Sequence, residues 1–304
     1  MPKKVLVVMG GFSAEREVSL ISGKGIVEAL NNSGYEVIGY DLRNGFDFVE
    51  ILKKEKPDVV FNALHGNFGE DGEIQGLLDI LQIPYTHSGL RASALGMDKV
   101  LTKEVARASG LKVAQSEQMT YKEYKQTGTH IKMPYVIKPV SDGSSVGVFI
   151  IKKEEDKKAI FYENDNREVM IEEFIEGQEL TVSVLNGKAL AVTEMRSKTA
   201  FYDYEAKYTD GMTQHILPAE ISQEVYRQAL KDAEILHSAL HCHTVSRCDF
   251  RYNPKDGIVL LEINTNPGMT PLSLVPEQAK YVGISYEKVC QTLVESATYR
   301  KIES

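Results

Sequence analysis

Three short apolar runs open the chain, at residues 5–9, 36–40 and 59–63, and they are rich in Val and Ile. Runs of this length and composition suit strands buried on both faces, as in a parallel sheet. Between the first two, residues 15–31 set Val18, Ile21, Ile26 and Leu30 at roughly helical spacing, and Ser33-Gly34 ends the run. Strand, helix and strand in this order form a βαβ unit, which commits the first part of the chain to an open α/β sheet. Pro84-Tyr85-Thr86 offers a fourth strand, and residues 93–109 read as a helix ended by Gly110. A first domain boundary falls near residue 90.

The pattern then changes. Residues 135–139, 146–151 and 169–174 read as strands, with a helix near 154–163, which makes a smaller α+β unit. From Glu179 the chain is strand-rich again, at 180–185 and 189–194. Residues 196–213 are polar and aromatic, with Tyr202, Tyr204 and Tyr208 and few aliphatics. A connection this long between elements is expected to be a lid or disordered. Residues 222–241 and 286–300 read as helices. The expected units are 1–90, 91–178 and 179–304.

Chemistry concentrates near the C-terminus. Arg247-Cys248-Asp249-Phe250 and Leu260-Leu261-Glu262-Ile263-Asn264 are two β-rich runs, joined through Asn253-Pro254 and Asp256-Gly257, which read as a hairpin turn. Glu262 and Asn264 are two apart and project from one side of their strand, and so do Arg247 and Asp249. In a hairpin Asp249 can face Glu262 or Asn264. Hard oxygen donors of this kind suit Mg²⁺ together with phosphate and water, and Arg247 adds a fixed positive charge. The bland alternative is two half-buried strands with polar residues facing solvent.

Three glycine-bearing loops add to it. Lys138 to Val148 runs from a strand through Asp142-Gly143-Ser144-Ser145 into another strand, where small residues let backbone N–H groups approach phosphate oxygens. Gly10-Gly11-Phe12-Ser13-Ala14-Glu15 follows the first strand, the edge at which open α/β sheets bind ligands. The dinucleotide pattern Gly-x-Gly-x-x-Gly is absent, and Glu15 could hold an ammonium group instead. His65-Gly66-Asn67-Phe68-Gly69-Glu70-Asp71-Gly72 follows the third strand, with three glycines around a His. Plain turn chemistry is the competing reading of all three. Between residues 172 and 179, acidic side chains could accept from ribose hydroxyls, and Phe174 could wall an adenine.

The net charge of −8 over 304 residues argues against a nucleic-acid surface. No apolar run nears the roughly 20 residues that span a bilayer, and the opening strand is too short for a signal-peptide core. Three cysteines, an odd and sparse count, fit a reducing compartment. His241-Cys242-His243 with Cys248 tempts a zinc reading, but consecutive residues cannot converge as spaced ligand pairs do. The expectation is a cytoplasmic protein.

Taken together, these segments resemble the D-alanine–D-alanine ligases of the ATP-grasp superfamily, over nearly the whole chain. The carriers are Gly-Gly-x-Ser-x-Glu-Arg-Glu-Val-Ser at 10–19, His-Gly-x-x-Gly-Glu-Asp-Gly at 65–72, Met97-Asp98-Lys99, Lys138 with Gly143-Ser144-Ser145-Val146-Gly147, Tyr202 to Tyr208, and Glu262 through Ser273. The resemblance implies an α/β ATP-grasp fold of three domains: an N-terminal open parallel sheet, then two α+β domains that sandwich ATP. It implies that Lys99, Lys138, Ser145, Glu172, Phe174, Ile175 and Glu179 bind ATP. Asp249, Glu262 and Asn264 would hold two Mg²⁺ or Mn²⁺. Glu15 would bind the ammonium of the first D-alanine, linked by hydrogen bonds to Ser144 and Tyr208, with His65 alongside. Arg247 and the Gly268 amide would stabilise the oxyanion, and Lys207 and Ser273 would hold the second D-alanine's carboxylate. Residues 196–213 would be the lid.

The implied reaction is ATP-dependent joining of two D-alanines through an acyl phosphate, for peptidoglycan precursors, by a cytoplasmic homodimer that touches neither nucleic acid nor membrane. A sister ligase joining D-alanine to D-lactate or another amino acid is the alternative, and Tyr208 discriminates, because the family's depsipeptide makers tend to carry Phe there. A dehydrogenase on the βαβ unit is opposed by the missing glycine fingerprint. A nucleotide-binding protein without turnover is opposed by intact candidates at every catalytic position. Cys248, aliphatic in many relatives, reads as packing.

Overall fold

The computed structural model describes residues 2–143, 146–197, 213–271 and 273–300. Its first sheet is parallel, in the order β2-β1-β3, from β1 (Lys4–Gly10), β2 (Glu36–Leu42) and β3 (Val59–Asn62). The central strand β1 has Val5, Leu6, Val7 and Val8 fully buried, which is why this run reads as continuous hydrophobe rather than alternation. Helix α1 (Arg16–Asn32) crosses between β1 and β2, as the βαβ pattern predicts. Helices α2 (Gly45–Glu55) and α3 (Glu73–Ile80) complete this layer and escape the sequence reading. The expected fourth strand at 84–86 is only a pair of isolated bridges, in which Tyr85 joins Val60 on one side and Thr298 on the other.

The helix expected at 93–109 is two helices, α4 (Leu90–Met97) and α5 (Lys99–Ala108). Asp98 between them is extended, and its carboxylate accepts from the Val100 and Leu101 amides, each at 2.9 Å. An aspartate that caps a helix this way stops the preceding one, and it sets Lys99 in the first turn of α5.

The second sheet is antiparallel, in the order β4-β7-β5-β6: β4 (Ser116–Thr120), β5 (Tyr135–Pro139), β6 (Phe149–Ile151) and β7 (Glu168–Glu173). Thr120 and Glu123 form a capping box at the start of α6 (Tyr121–Thr127). The helix expected near 154–163 is a 3₁₀ segment, Glu154–Ala159, and the strand expected from 146 begins only at Phe149.

The third sheet is also antiparallel, in the order β10-β9-β8-β11-β12: β8 (Gln178–Leu185), β9 (Lys188–Ser197), β10 (Thr213–Ile216), β11 (Val245–Asn253) and β12 (Gly257–Asn264). Helix α7 (Gln223–Ala239) covers one face, and Cys248 is fully buried there among Leu180, Val182, Leu236 and Phe250, as packing. Two more helices follow, α8 (Leu274–Tyr281) and α9 (Tyr286–Glu295). The last ends at Glu295 rather than Arg300, because Thr298 turns back to pair with Tyr85. Val275, Val289, Leu293 and Val294 share one core with Val5, Val7 and Phe61, so the first sheet is closed by the far end of the chain. Among the described residues no helix is long and apolar enough to cross a membrane.

Candidate active site

The β11–β12 hairpin has Asp249 opposite Glu262 and Arg247 opposite Asn264, with a bulge after Asp249. All four polar side chains therefore leave one face, while Cys248 and Ile263 enter the core on the other. Arg247 donates to both Asp249 oxygens, from Nε at 3.0 Å to Oδ1 and from Nη2 at 2.8 Å to Oδ2. The Thr181 hydroxyl of β8 donates to Asp249 Oδ1 at 2.6 Å. Asn264 Oδ1 accepts from the Asn266 amide at 2.8 Å, and Lys99 Nζ lies 3.9 Å from Glu262 Oε2.

This face opens on a cleft of about 660 Å³. Across it stands the second sheet. Lys138 of β5 and Glu172 of β7 sit on its wall, with Lys138 Nζ 2.6 Å from Glu172 Oε1. The other Glu172 oxygen meets Lys103 of α5. Burial would raise the Glu172 carboxyl, but the two lysines hold it down to about 2, so it is ionised. Burial works against the Lys138 ammonium as well, and the Glu172 and Glu262 carboxylates outweigh it and raise its pKa. Glu172 thus has both oxygens engaged by lysines. Diagonal pairing across β5 and β7 makes it the counter-ion of Lys138.

Chain leaving β7 forms the far end of the cleft. Phe174 and Ile175 line it, and Lys152 Nζ lies 5.5 Å from the Phe174 ring centroid. Glu179, on β8 opposite Arg251 of β11, pairs with its guanidinium at 2.8 Å. Gly177 links the two sheets at φ +125, and a Cβ there would lie 2.1 Å from the Tyr252 carbonyl oxygen. Only glycine allows that approach.

The near end belongs to the first sheet. Glu15 precedes α1, and its Oε2 would be 3.0 Å from a Cβ on Gly66 and 3.6 Å from one on Gly143. The Glu15 carboxylate therefore sits between the loop after β3 and the loop after β5. His65 is buried, with Nδ1 3.3 Å from Glu70 Oε1 and Nε2 3.2 Å from the Ser22 hydroxyl. Burial pushes the Glu70 carboxyl up, against the pull of His65 and helped by the charge of Glu15. At the start of α8, the Ser273 hydroxyl accepts from the Thr270 amide at 3.0 Å. Gly268 lies over it, where a Cβ would come within 3.0 Å of Ser273 Oγ.

Every described residue among the sequence candidates lines this one cleft: Glu15, His65, Lys99, Lys138, Glu172, Phe174, Ile175, Glu179, Arg247, Asp249, Glu262, Asn264, Gly268 and Ser273. Ser144, Ser145, Lys207, Tyr208 and residues 198–212 of the expected lid lie outside the described residues. Sequence reasoning missed Lys103, Thr181 and Arg251, which hold Glu172, Asp249 and Glu179. Lys103 had a signal, four residues after Lys99 and so on the same helix face; the other two are read only from strand pairing.

Residues 103–295 match the family described as D-ala D-ala ligase C-terminus, and residues 44–88 match D-ala D-ala ligase N-terminus. The chain belongs to the D-alanine–D-alanine ligase family. It is 47% identical to a D-alanine--D-alanine ligase of Granulibacter bethesdensis, over 98% of this chain and 99% of that one. A Parvibaculum lavamentivorans relative of the same name is 49% identical, covering 97% and 98%. Among solved structures it is similar to the D-alanine--D-alanine ligase of Bacillus anthracis, with a TM-score of 0.83, 33% identity and 97% of each chain covered. A structure of that ligase complexed with ATP gives a TM-score of 0.82 at 32% identity, again over 97% of each chain. This ligase family's architecture is the expected one: an N-terminal parallel sheet, then two α+β units with antiparallel sheets, the ATP-grasp class.

Proposed function

We propose that this chain joins two D-alanines to D-alanyl-D-alanine with ATP as co-substrate, forming ADP and phosphate, in the supply of peptidoglycan precursors. The observation that carries it is the single cleft. One cavity collects an ammonium-accepting carboxylate, a buried lysine pair, an arginine and a set of hard oxygen donors from three sheets. The relatives' shared name supports the substrate.

ATP lies between the two antiparallel sheets, its base against Phe174 and Ile175 and its ribose toward Glu179. Lys99 and Lys138 neutralise its phosphates, and Ser145 contributes to ATP binding. The first D-alanine sets its ammonium on Glu15, beside His65, and its carboxylate takes the terminal phosphoryl group to give an acyl phosphate. The neutral amine of the second D-alanine attacks that carbonyl. Its carboxylate is held by Ser273 and Lys207. Arg247 and the Gly268 amide stabilise the oxyanion of the tetrahedral intermediate, which collapses to dipeptide and phosphate. Ser144 and Tyr208 link Glu15 to the lid of this reading, which narrows to 198–212 because residues 196–197 and 213 belong to β9 and β10.

The donor set of Asp249, Glu262 and Asn264 fits Mg²⁺ or Mn²⁺, since all three offer oxygen and share one face with room for phosphate. Two such ions, when bound, would supply charge neutralisation on the phosphates. Arg247 pairs with Asp249 beside this donor set. Units of 1–90, 91–178 and 179–304, a homodimer, a cytoplasmic location and no contact with membrane or nucleic acid complete the reading.

The test is phosphate release from ATP, with D-alanine, L-alanine, D-serine and D-lactate offered separately and each of the last three also offered beside D-alanine. D-alanine alone should support turnover. No release with D-alanine, or faster release with another acceptor beside it, overturns the assignment.

A further inference from the structure

Lys103 is a buried charged side chain to which the proposed reaction gives no task. Its side chain is 1% exposed, and it stands behind the cleft wall rather than on it. Its ammonium meets the Glu172 oxygen that faces away from Lys138. Glu172 lies opposite Val136 on the neighbouring strand, and Lys138 is two residues along, so Glu172 and Lys138 share one face of the sheet. The three side chains form a buried line of cation, anion and cation.

Charge counting gives that line its meaning. Lys138 and Glu172 alone are a neutral pair, and a neutral pair offers little to a polyphosphate. With Lys103 included the line carries one net positive charge, and Lys138 is its member on the cleft wall. A buried carboxylate with a single cationic neighbour would bind that neighbour closely. A second cation behind it divides that hold. Lys99, one turn earlier on α5, lines the same cleft, so the helix sends one lysine to the cavity and one behind its wall.

We propose that Lys103 is a positioning residue for the nucleotide phosphates: it offsets Glu172 from behind, so that the line of three keeps one net positive charge, which Lys138 presents to the cleft. This rests on the reading that ATP binds there. Lys103 touches no substrate and acts through Glu172 and Lys138.

Binding of ADP and of adenosine to the full chain, measured by titration calorimetry, separates the two ideas. Wild type that binds neither removes the ATP reading and this inference with it. Given wild-type binding, Lys103→Met keeps the buried stem and loses the charge. Its ADP affinity should fall about 10–100-fold, the worth of one contact to a charged group. Adenosine, which has no phosphate, should bind within about twofold of wild type. Lys103→Arg should keep most of the ADP affinity. The double variant Lys103→Met/Glu172→Gln removes the anion together with its rear partner, so ADP affinity should return to within about threefold of wild type. If Lys103→Met fails to fold, the double variant decides alone. Unchanged ADP affinity in Lys103→Met, equal loss of ADP and adenosine, or a double variant still about tenfold weaker for ADP would each overturn the inference.

Discussion

Single residues set the shape of this cleft by what they lack as much as by what they carry. Gly177 passes so close to the Tyr252 carbonyl, at a φ of +125, that any side chain collides. Gly177→Ala should cost about 1–3 kcal/mol in backbone strain alone and move Glu179, two residues on. A urea denaturation midpoint unchanged from wild type would show that the strand junction tolerates a methyl group. The hairpin makes a sharper comparison. Glu262 carries a charge opposite Asp249, while Asn264 is neutral, so Glu262→Gln should lose more turnover than Asn264→Ala, with a raised Mg²⁺ requirement. Rates over a Mg²⁺ titration decide it, and wild-type turnover for Glu262→Gln at ordinary Mg²⁺ would remove it as a metal ligand. Both residues are legible in the sequence, because a two-residue strand spacing and a nearby turn are local facts. For Lys103 the sequence shows only a shared helix face with Lys99, because its meaning depends on a partner 69 positions away, fixed only once the strands pair.

At the scale of elements, the sequence shows most clearly those stretches whose burial is continuous. β1, β5 and β8 are read nearly to their ends, since each is buried along most of its length. Helix α2 goes unread because it buries only Phe48 and Leu52, and β4 because no residue in it is fully buried. The predicted single helix at 93–109 fails for a capping reason: apolar spacing runs on through Asp98, but its carboxylate claims the next helix's first amides. That cap has a consequence for the site, since Lys99 is the residue after it. Asp98→Ala should cost about 1 kcal/mol of stability and raise the KM for ATP more than it lowers kcat, as the first turn of α5 loosens. Thermal unfolding and ATP titrations would measure the two together. A variant with wild-type stability and KM would mean that the break between α4 and α5 is held by packing rather than by the cap.

Across the whole molecule, the two ends of the chain depend on each other. Leu293 and Val294 of α9 are fully buried in the core that also holds Val5, Val7 and Phe61. Tyr35, just before β2, donates to Glu295 at 2.6 Å, and Lys3 pairs with the same carboxylate at 2.5 Å. Order along the sequence hides this closure, because nothing local in residues 286–295 says which sheet they cover. Yet Glu15 and His65 are carried by loops of that first sheet, whereas Gly268 and Ser273 precede the helices that seal it. A loss of packing at α9 therefore reaches the substrate end of the cleft. Leu293→Ala removes a fully buried side chain and should cost about 2–5 kcal/mol, a large share of the 5–15 kcal/mol typical of folded proteins. If the two ends form one cooperative unit, the lost protection is shared. Amide exchange in β1 should accelerate by the same factor as in α9, while strands β5 and β7 of the second sheet change least. Exchange that quickens in α9 with β1 unaffected would show a helix that frays by itself, and the first sheet would then stand without the chain's far end.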